Sequence, residues 1–200
     1  SEDVVDIQPD TTEFVLIDFV PPVSAGETGA LELSARDANG NFVNLDSVST
    51  FLVTAPTPDT HFDIALNPVS VDRGDGTLVE QVSVTLIDGL VSVAFTASTV
   101  AMEYAFPIEP DSRVEDSAIR HDSDGNAATS QIAVSSISYV VAGGMPARLR
   151  LATAANELPP DGAVEHVGVG LPLALRVLVQ DEFGNRAGTF PTEPDALQIT

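Results

Sequence analysis

Leu31-Glu32-Leu33-Ser34-Ala35-Arg36-Asp37-Ala38-Asn39-Gly40-Asn41 alternates apolar and polar residues and then breaks into a turn. Leu31, Leu33 and Ala35 fall on one side and Glu32, Ser34 and Arg36 on the other, the period of two that marks a half-buried strand. The Asp that follows can bond its own downstream backbone, and Gly and Asn tolerate a positive φ that a β-branched residue resists. The same pattern returns later, where Leu175, Val177 and Val179 alternate with Arg176, Leu178 and Gln180 before Asp181-Glu182-Phe183-Gly184-Asn185. Placing Asn41 on Asn185 places Asp37 on Asp181 and Gly40 on Gly184 without a gap, so the chain carries an internal repeat.

Further strands surround the first copy. Val82, Val84 and Leu86 alternate with Ser83 and Thr85, Asp88-Gly89 is a two-residue hairpin signal, and Val91, Val93, Phe95 and Ala97 then share one side. Ser49 to Thr54, His61 to Leu66, Val69 to Val71 and Tyr104 to Phe106 read as shorter strands, with a loop at Pro56, Pro58 and Asp59 and a tight turn over Asp72 to Gly76. An entry strand is expected from Val4 to Ile17, ended by Pro21-Pro22, with Phe14 and Leu16 matching Leu149 and Leu151 of the second copy. Residues near 108–130 are acidic and poor in apolar side chains, which predicts a long loop or insertion. Ile132 to Val141 restores the alternation. The second copy has its entry strand near Leu149, a Pro-rich loop at Pro159-Pro160 and a central strand over Leu173 to Val179.

Three of these motifs, in this order, resemble the bacterial immunoglobulin-like repeats of invasin- and intimin-type surface proteins. Asp37 to Val43 matches their turn, Ala142-Gly143-Gly144-Met145-Pro146-Ala147 is similar to their Gly-x-Pro-Ala entry, and Val84 to Thr96 is similar to their penultimate hairpin. The likeness covers most of residues 1–107 and 140–190. It implies a β-sandwich that serves as a rod segment or adhesive tip outside the cell, with no catalytic residues to carry over. The expected fold is all-β, with tandem immunoglobulin-like sandwiches over 1–142 (including the acidic insertion) and 143–200. Such a sandwich needs about 7 strands over roughly 100 residues, so the second is expected to be incomplete within this chain. Half a sandwich leaves an apolar face open. The expectation is that a longer polypeptide completes it, the alternative being strand donation by another chain.

Thirty acidic residues against 8 basic ones leave a net charge of −22, and every basic residue is Arg. Such a surface repels phosphate backbones and anionic lipid, so neither nucleic acid nor membrane insertion is expected of this region. The field concentrates cations instead. The absence of Cys removes disulfides and thiol chemistry, and the absence of Lys removes Lys-Asn isopeptide crosslinks. No apolar run approaches the roughly 20 residues that span a bilayer. Ser1 opens without a basic, apolar leader, so any secretion signal is expected to have been removed or to lie in a longer precursor. The expected location is extracellular, at the cell surface.

Calcium is the expected ion, held by Asp122, Asp124 and Asn126 in one turn and by Asp72 and Asp75 in another. Alternate Asp and Asn side chains in a turn can converge on one hard cation while carbonyls complete its shell. Gly125 stands at position 4 and no Glu closes the loop, a departure from the EF-hand. A solvated hairpin turn uses the same residues. For Asp37 and Asp181 the reading is a structural Asx-turn. Arg73-Gly74-Asp75 spells a tripeptide recognised by many integrins, but the reading here is a tight turn, which uses the same Asp and Gly residues. His61, His121 and His166 lack metal-ligand spacing, and no nucleophile elbow or phosphate loop is present. Sugar platforms stack on exposed aromatic rings, whereas this chain has no Trp and its two Tyr, Tyr104 and Tyr139, have apolar neighbours suited to a core.

The expected function is therefore a non-catalytic structural or adhesive module of a large surface protein, surface layer or fibre. Its partners would be neighbouring modules, copies of itself, or a cell-surface or matrix receptor. The alternatives are an accessory region of a secreted polysaccharide-degrading enzyme and a self-assembling filament subunit completed by strand donation. If calcium stiffens the acidic turns, removing it with chelator at matched ionic strength lowers the melting temperature. An unchanged melting temperature excludes the ion from the account.

Overall fold

The computed structural model describes residues 12, 14–19, 23–113, 120–121, 127–128, 133–134, 138–153 and 175–187. The chain divides into two compact units, Ser1–Val141 and Ala142–Thr200. In chain order the strands are β1 (Phe14–Phe19), β2 (Val23–Ser24), β3 (Thr28–Arg36), β4 (Thr50–Thr54), β5 (His61–Phe62), β6 (Val69–Asp72), β7 (Leu78–Thr85), β8 (Leu90–Thr96), β9 (Glu103–Ala105), β10 (Ile108–Pro110), β11 (Arg120–His121), β12 (Ala127–Ala128), β13 (Ala133–Val134), β14 (Ser138–Ala142), β15 (Arg148–Thr153) and β16 (Leu175–Gln180). No α-helix occurs among the described residues. Residues expected in a strand at Ile64–Leu66 form a 3-10 turn instead, because the Asp63 carboxylate caps it by accepting from Ala65 N–H, and Asn67 closes it with a φ of 53°.

The first unit is an immunoglobulin-like β-sandwich. A five-stranded sheet in the order β13-β1-β3-β8-β5 and a four-stranded sheet in the order β10-β4-β7-β6 share one apolar core with a three-stranded sheet, β2-β14-β9. The period-two positions fill that core: Leu31, Leu33 and Ala35 of β3, Val93 and Phe95 of β8, Phe51 and Val53 of β4, and Val82 and Val84 of β7. Phe51 and Phe95 are fully buried, and burying such a side chain stabilises the fold by roughly 1.5–3 kcal/mol. The ring of Tyr139 on β14 stacks on Phe106 at 5.2 Å and meets Phe95 edge-on at 5.5 Å. The acidic stretch expected as a loop begins later than its composition suggests. Ile108–Pro110 pairs with β4, and Asp111 is buried.

The Asp88-Gly89 turn forms, but not the hairpin. Ile87 and Leu90 exchange N–H···O bonds of 2.9 and 3.1 Å, and φ is 52° at Asp88 and 78° at Gly89, the positive pair that a type I′ turn requires. The two arms then part. β7 pairs with β4 and β6 while β8 pairs with β3 and β5, so the turn is a corner between sheets. Turn chemistry fixes where the chain reverses, and long-range burial chooses the ladder partners. The loop after β3 packs on this corner, with Gly89 N–H donating to Asp46 O at 2.7 Å and Ala35 N–H to Gly89 O at 2.8 Å.

In the second unit β15 and β16 pair antiparallel, Arg148 facing Gln180, as Phe14 faces Arg36 in β1 and β3. Since Arg36 and Gln180 are repeat equivalents, Leu149 and Leu151 match Val15 and Ile17. The expected match to Phe14 and Leu16 is out by one residue. Phe14 to Ile17 are four apolar residues in a row, which carry no alternation to set a register. Strand pairing sets it, leaving Val15 and Ile17 buried.

Two glycines separate conformational from steric demand. Gly184 has a φ of 94° with open space around it, whereas a Cβ on Gly89 would lie 2.0 Å from Val43 O. Gly184→Val is expected to cost about 1–3 kcal/mol from backbone strain alone. Gly89→Ala, despite its smaller side chain, is expected to cost more, roughly 2–4 kcal/mol, because a close backbone contact must also open. Urea unfolding of the two variants measures the order.

Candidate functional site

The features that stand out in this fold are carboxylates turned inward to fasten loops. After β3, Asp37 Oδ1 accepts from Asn39 N–H and Asn41 N–H, both at 2.9 Å, and Oδ2 accepts from Asn41 Nδ2 at 2.9 Å. After β16, Asp181 Oδ1 accepts from Phe183 N–H at 3.0 Å and Asn185 N–H at 2.8 Å, and Oδ2 from Asn185 Nδ2 at 2.9 Å. The two turns are the same device, bond for bond. Asp181 also accepts from Gly144 N–H at 2.9 Å, so the chain entering the second unit is tied to its turn. The close approach extends to Gly143, where a Cβ would meet Arg186 O at 1.9 Å. Burial alone would raise the Asp181 carboxyl, and the bonds from Asn185, Gly144 and Phe183 outweigh it and hold its pKa below the ordinary value.

Three more aspartates act alike without being conspicuous in the sequence. Asp46 accepts from Thr12 Oγ1 at 2.7 Å, Ser49 Oγ at 2.6 Å and Ser49 N–H at 3.0 Å. Asp59 accepts from Thr99 N–H at 2.9 Å, Thr99 Oγ1 at 2.8 Å and Ser98 Oγ at 3.1 Å. Burial pushes the Asp59 carboxyl up, but those bonds, with one from Thr57, win and bring it to about 2. Asp111 accepts from Arg113 Nε and Nη2, both at 2.8 Å, and from Ser83 Oγ at 2.7 Å. The Arg113 guanidinium is the main cause of its lowered pKa. Glu80 on β7 reaches the opposite sheet, accepting from Phe62 N–H at 2.7 Å and lying 2.8 Å from His61 Nδ1. Asp46 carried a local signal in Ser49, three residues on, and Asp111 one in Arg113, two residues on. Ser83, Thr99 and Phe62 come from distant segments.

Of the residues expected to hold calcium, Asp72 and Asp75 are described, and Asp122, Asp124 and Asn126 lie outside the described residues. Asp72 Oδ1 accepts from Gly74 N–H at 2.8 Å and Gly76 N–H at 3.0 Å, and Asp75 Oδ1 from Thr77 N–H at 2.8 Å. These bonds shape the tight turn between β6 and β7. Among the described residues no three His, Asp or Glu side chains are grouped to share one ion. Arg73 of the Arg-Gly-Asp tripeptide donates from Nη1 to Pro56 O at 2.6 Å, which ties it back to the sandwich. His166 lies outside the described residues, and His121 falls in β11.

Leu66, Asn67, Val69, Gln81, Val82, Ser83 and Arg113 line a cavity of about 230 Å³. Ser83 and Arg113 both spend their bonds on Asp111, which makes this corner an anchor. Tyr104 and Tyr139 lie in the core, as their apolar neighbours suggest, with Tyr104 Oη donating to Ser98 Oγ and Val100 O at 3.0 Å each.

No family model and no curated protein matches the chain. Among solved structures it is similar to FdeC, an Escherichia coli adhesin, at 16% identity and a TM-score of 0.43, over 88% of this chain and 44% of that one. It is also similar to a β-glycosidase from Bacteroides vulgatus, at 13% and 0.39, over 66% of this chain and 14% of that one. A third likeness is to the β-glucuronidase of Parabacteroides merdae, at 8% and 0.38, over 68% of this chain and 12% of that one. The chain thus spans less than half the length of each of these structures. Each is a partial likeness in chain path and assigns no activity.

A carboxyl whose folded pKa is depressed contributes stability above its unfolded value and loses it as pH falls through the folded one. For Asp59 that window runs from 3.8 down to about 2. Melting temperature is expected to drop as pH falls across that window, and Asp59→Asn is expected to flatten part of the drop. Circular dichroism melts at stepped pH measure both.

Proposed function

We propose that the chain is a non-catalytic structural or adhesive segment of an extracellular surface protein, surface layer or fibre, built from tandem immunoglobulin-like sandwiches. The observation that carries the reading is the Asp37 turn repeated bond for bond at Asp181. A device copied into successive units of one chain suits a module whose work is done by repetition, in which each unit adds length and presents loops. The net charge of −22 keeps like units apart in dilute salt and makes their spacing respond to cations. Neighbouring modules are its first partners, and a surface or matrix receptor would meet the loops at the ends of the strands.

Antibody raised against the purified chain is expected to label intact, unpermeabilised cells of the source organism. Cells of a non-adherent host displaying the chain are expected to resist removal by flow better than cells displaying an unrelated domain. Labelling only after permeabilisation would overturn the surface location. Equal retention under flow, with surface labelling intact, would leave the spacer role and remove the adhesive one.

A further inference from the structure

In the first unit the chain enters and leaves at opposite ends of the strands. Phe14 opens β1 opposite Arg36, at the end of β3 where β8 also begins. The exit strand β14 finishes at the other end. Val141 N–H donates to Met102 O, and Tyr104 joins that segment to Ser98, whose carbonyl accepts from Gly26 N–H beside the start of β3. Tension along the chain therefore pulls β1 and β14 along their own axes in opposite directions. Loaded so, the bonds of each ladder resist together, instead of opening one at a time from an end.

The two terminal strands are not equally held by backbone. β1 has six paired positions with β3 and two with the parallel strand β13. β14 has three with β9 and is bonded on its other side to the two-residue strand β2. With fewer ladder positions, β14 depends more on its side chains: Tyr139 and Val141 are 6% and 1% exposed, and the Tyr139 ring touches Phe106, Phe95 and Tyr104, with centroids 5.2, 5.5 and 5.8 Å away. A strand sliding along its axis must drag that ring out from among three others.

We infer that β14, pinned by Tyr139 in the aromatic cluster, is the element that bears load when the first unit is stretched along the chain. The inference rests on the surface-module reading, since only a tethered segment meets tension. Its test, made on purified chain, stands or falls separately from surface labelling.

The full chain contains no Cys, so introduced ones are unique handles. Single molecules are pulled from the two termini, and separately between Asn39→Cys and Ile87→Cys, which sit at one end of the β3–β8 pair and peel it open. The first unit is expected to unfold at a severalfold higher force from its termini than between the handles. Tyr139→Leu is expected to lower the end-to-end force and leave the peeling force unchanged, while Tyr139→Phe keeps both. Equal forces in the two directions would overturn the inference. So would a Tyr139→Leu effect of the same size in both, which would make Tyr139 an ordinary core residue.

Discussion

A carboxylate taken out of water must find donors, and in this protein the nearest donors are the unpaired N–H groups of turns. Asp37, Asp46, Asp111 and Asp181 are each buried among the bonds they accept. The exchange works both ways. Each turn leaves backbone N–H groups without ladder partners, and a buried N–H left unmet costs as much as a lost hydrogen bond. One ionised side chain satisfies up to three of them at once, and charge-assisted bonds are the stronger kind. In a chain without disulfides or Lys crosslinks, this is how the loops are made firm.

The fastened loops determine how the sheets meet. Asp46 holds the segment after β3 in place, and the backbone of that segment lies against the Asp88-Gly89 corner. Because Gly89 has no Cβ, Val43 O can approach it. The corner in turn sends β7 into one sheet and β8 into the other, and the apolar faces of both strands close on a common core. Glu80 closes the far side, joining β7 to β5 across the gap between sheets. The sandwich is thus held by packing through its middle and by carboxylates around its rim.

Repetition is the feature on which the proposed surface role rests. The Asp181 turn accepts from Gly144, so the incoming chain of the second unit is secured to the turn after β16. A module that fixes its own entry in this way is suited to being strung in series. Its strong negative charge opposes collapse of one copy onto another and is relieved as ions screen it.

Alternation at Leu31 to Ala35 and at Val82 to Phe95, with the Asp-x-x-Gly-Asn spacing, determined the all-β class, the repeated turn and most core positions, because period two and positive φ are local properties. The burial of Tyr104 and Tyr139 was legible for the same reason, their neighbours being apolar. Tertiary structure alone decided that β7 and β8 belong to different sheets, that Val15 and Ile17 are the repeat equivalents of Leu149 and Leu151, and that Ile108–Pro110 completes a sheet edge. It also chose Asp59, Asp111 and Glu80 as fasteners, since Thr99, Ser83 and Phe62 are brought to them only by folding. Local sequence fixes what a backbone can do at one point, whereas partners distant along the chain are selected by the burial that all the strands achieve together.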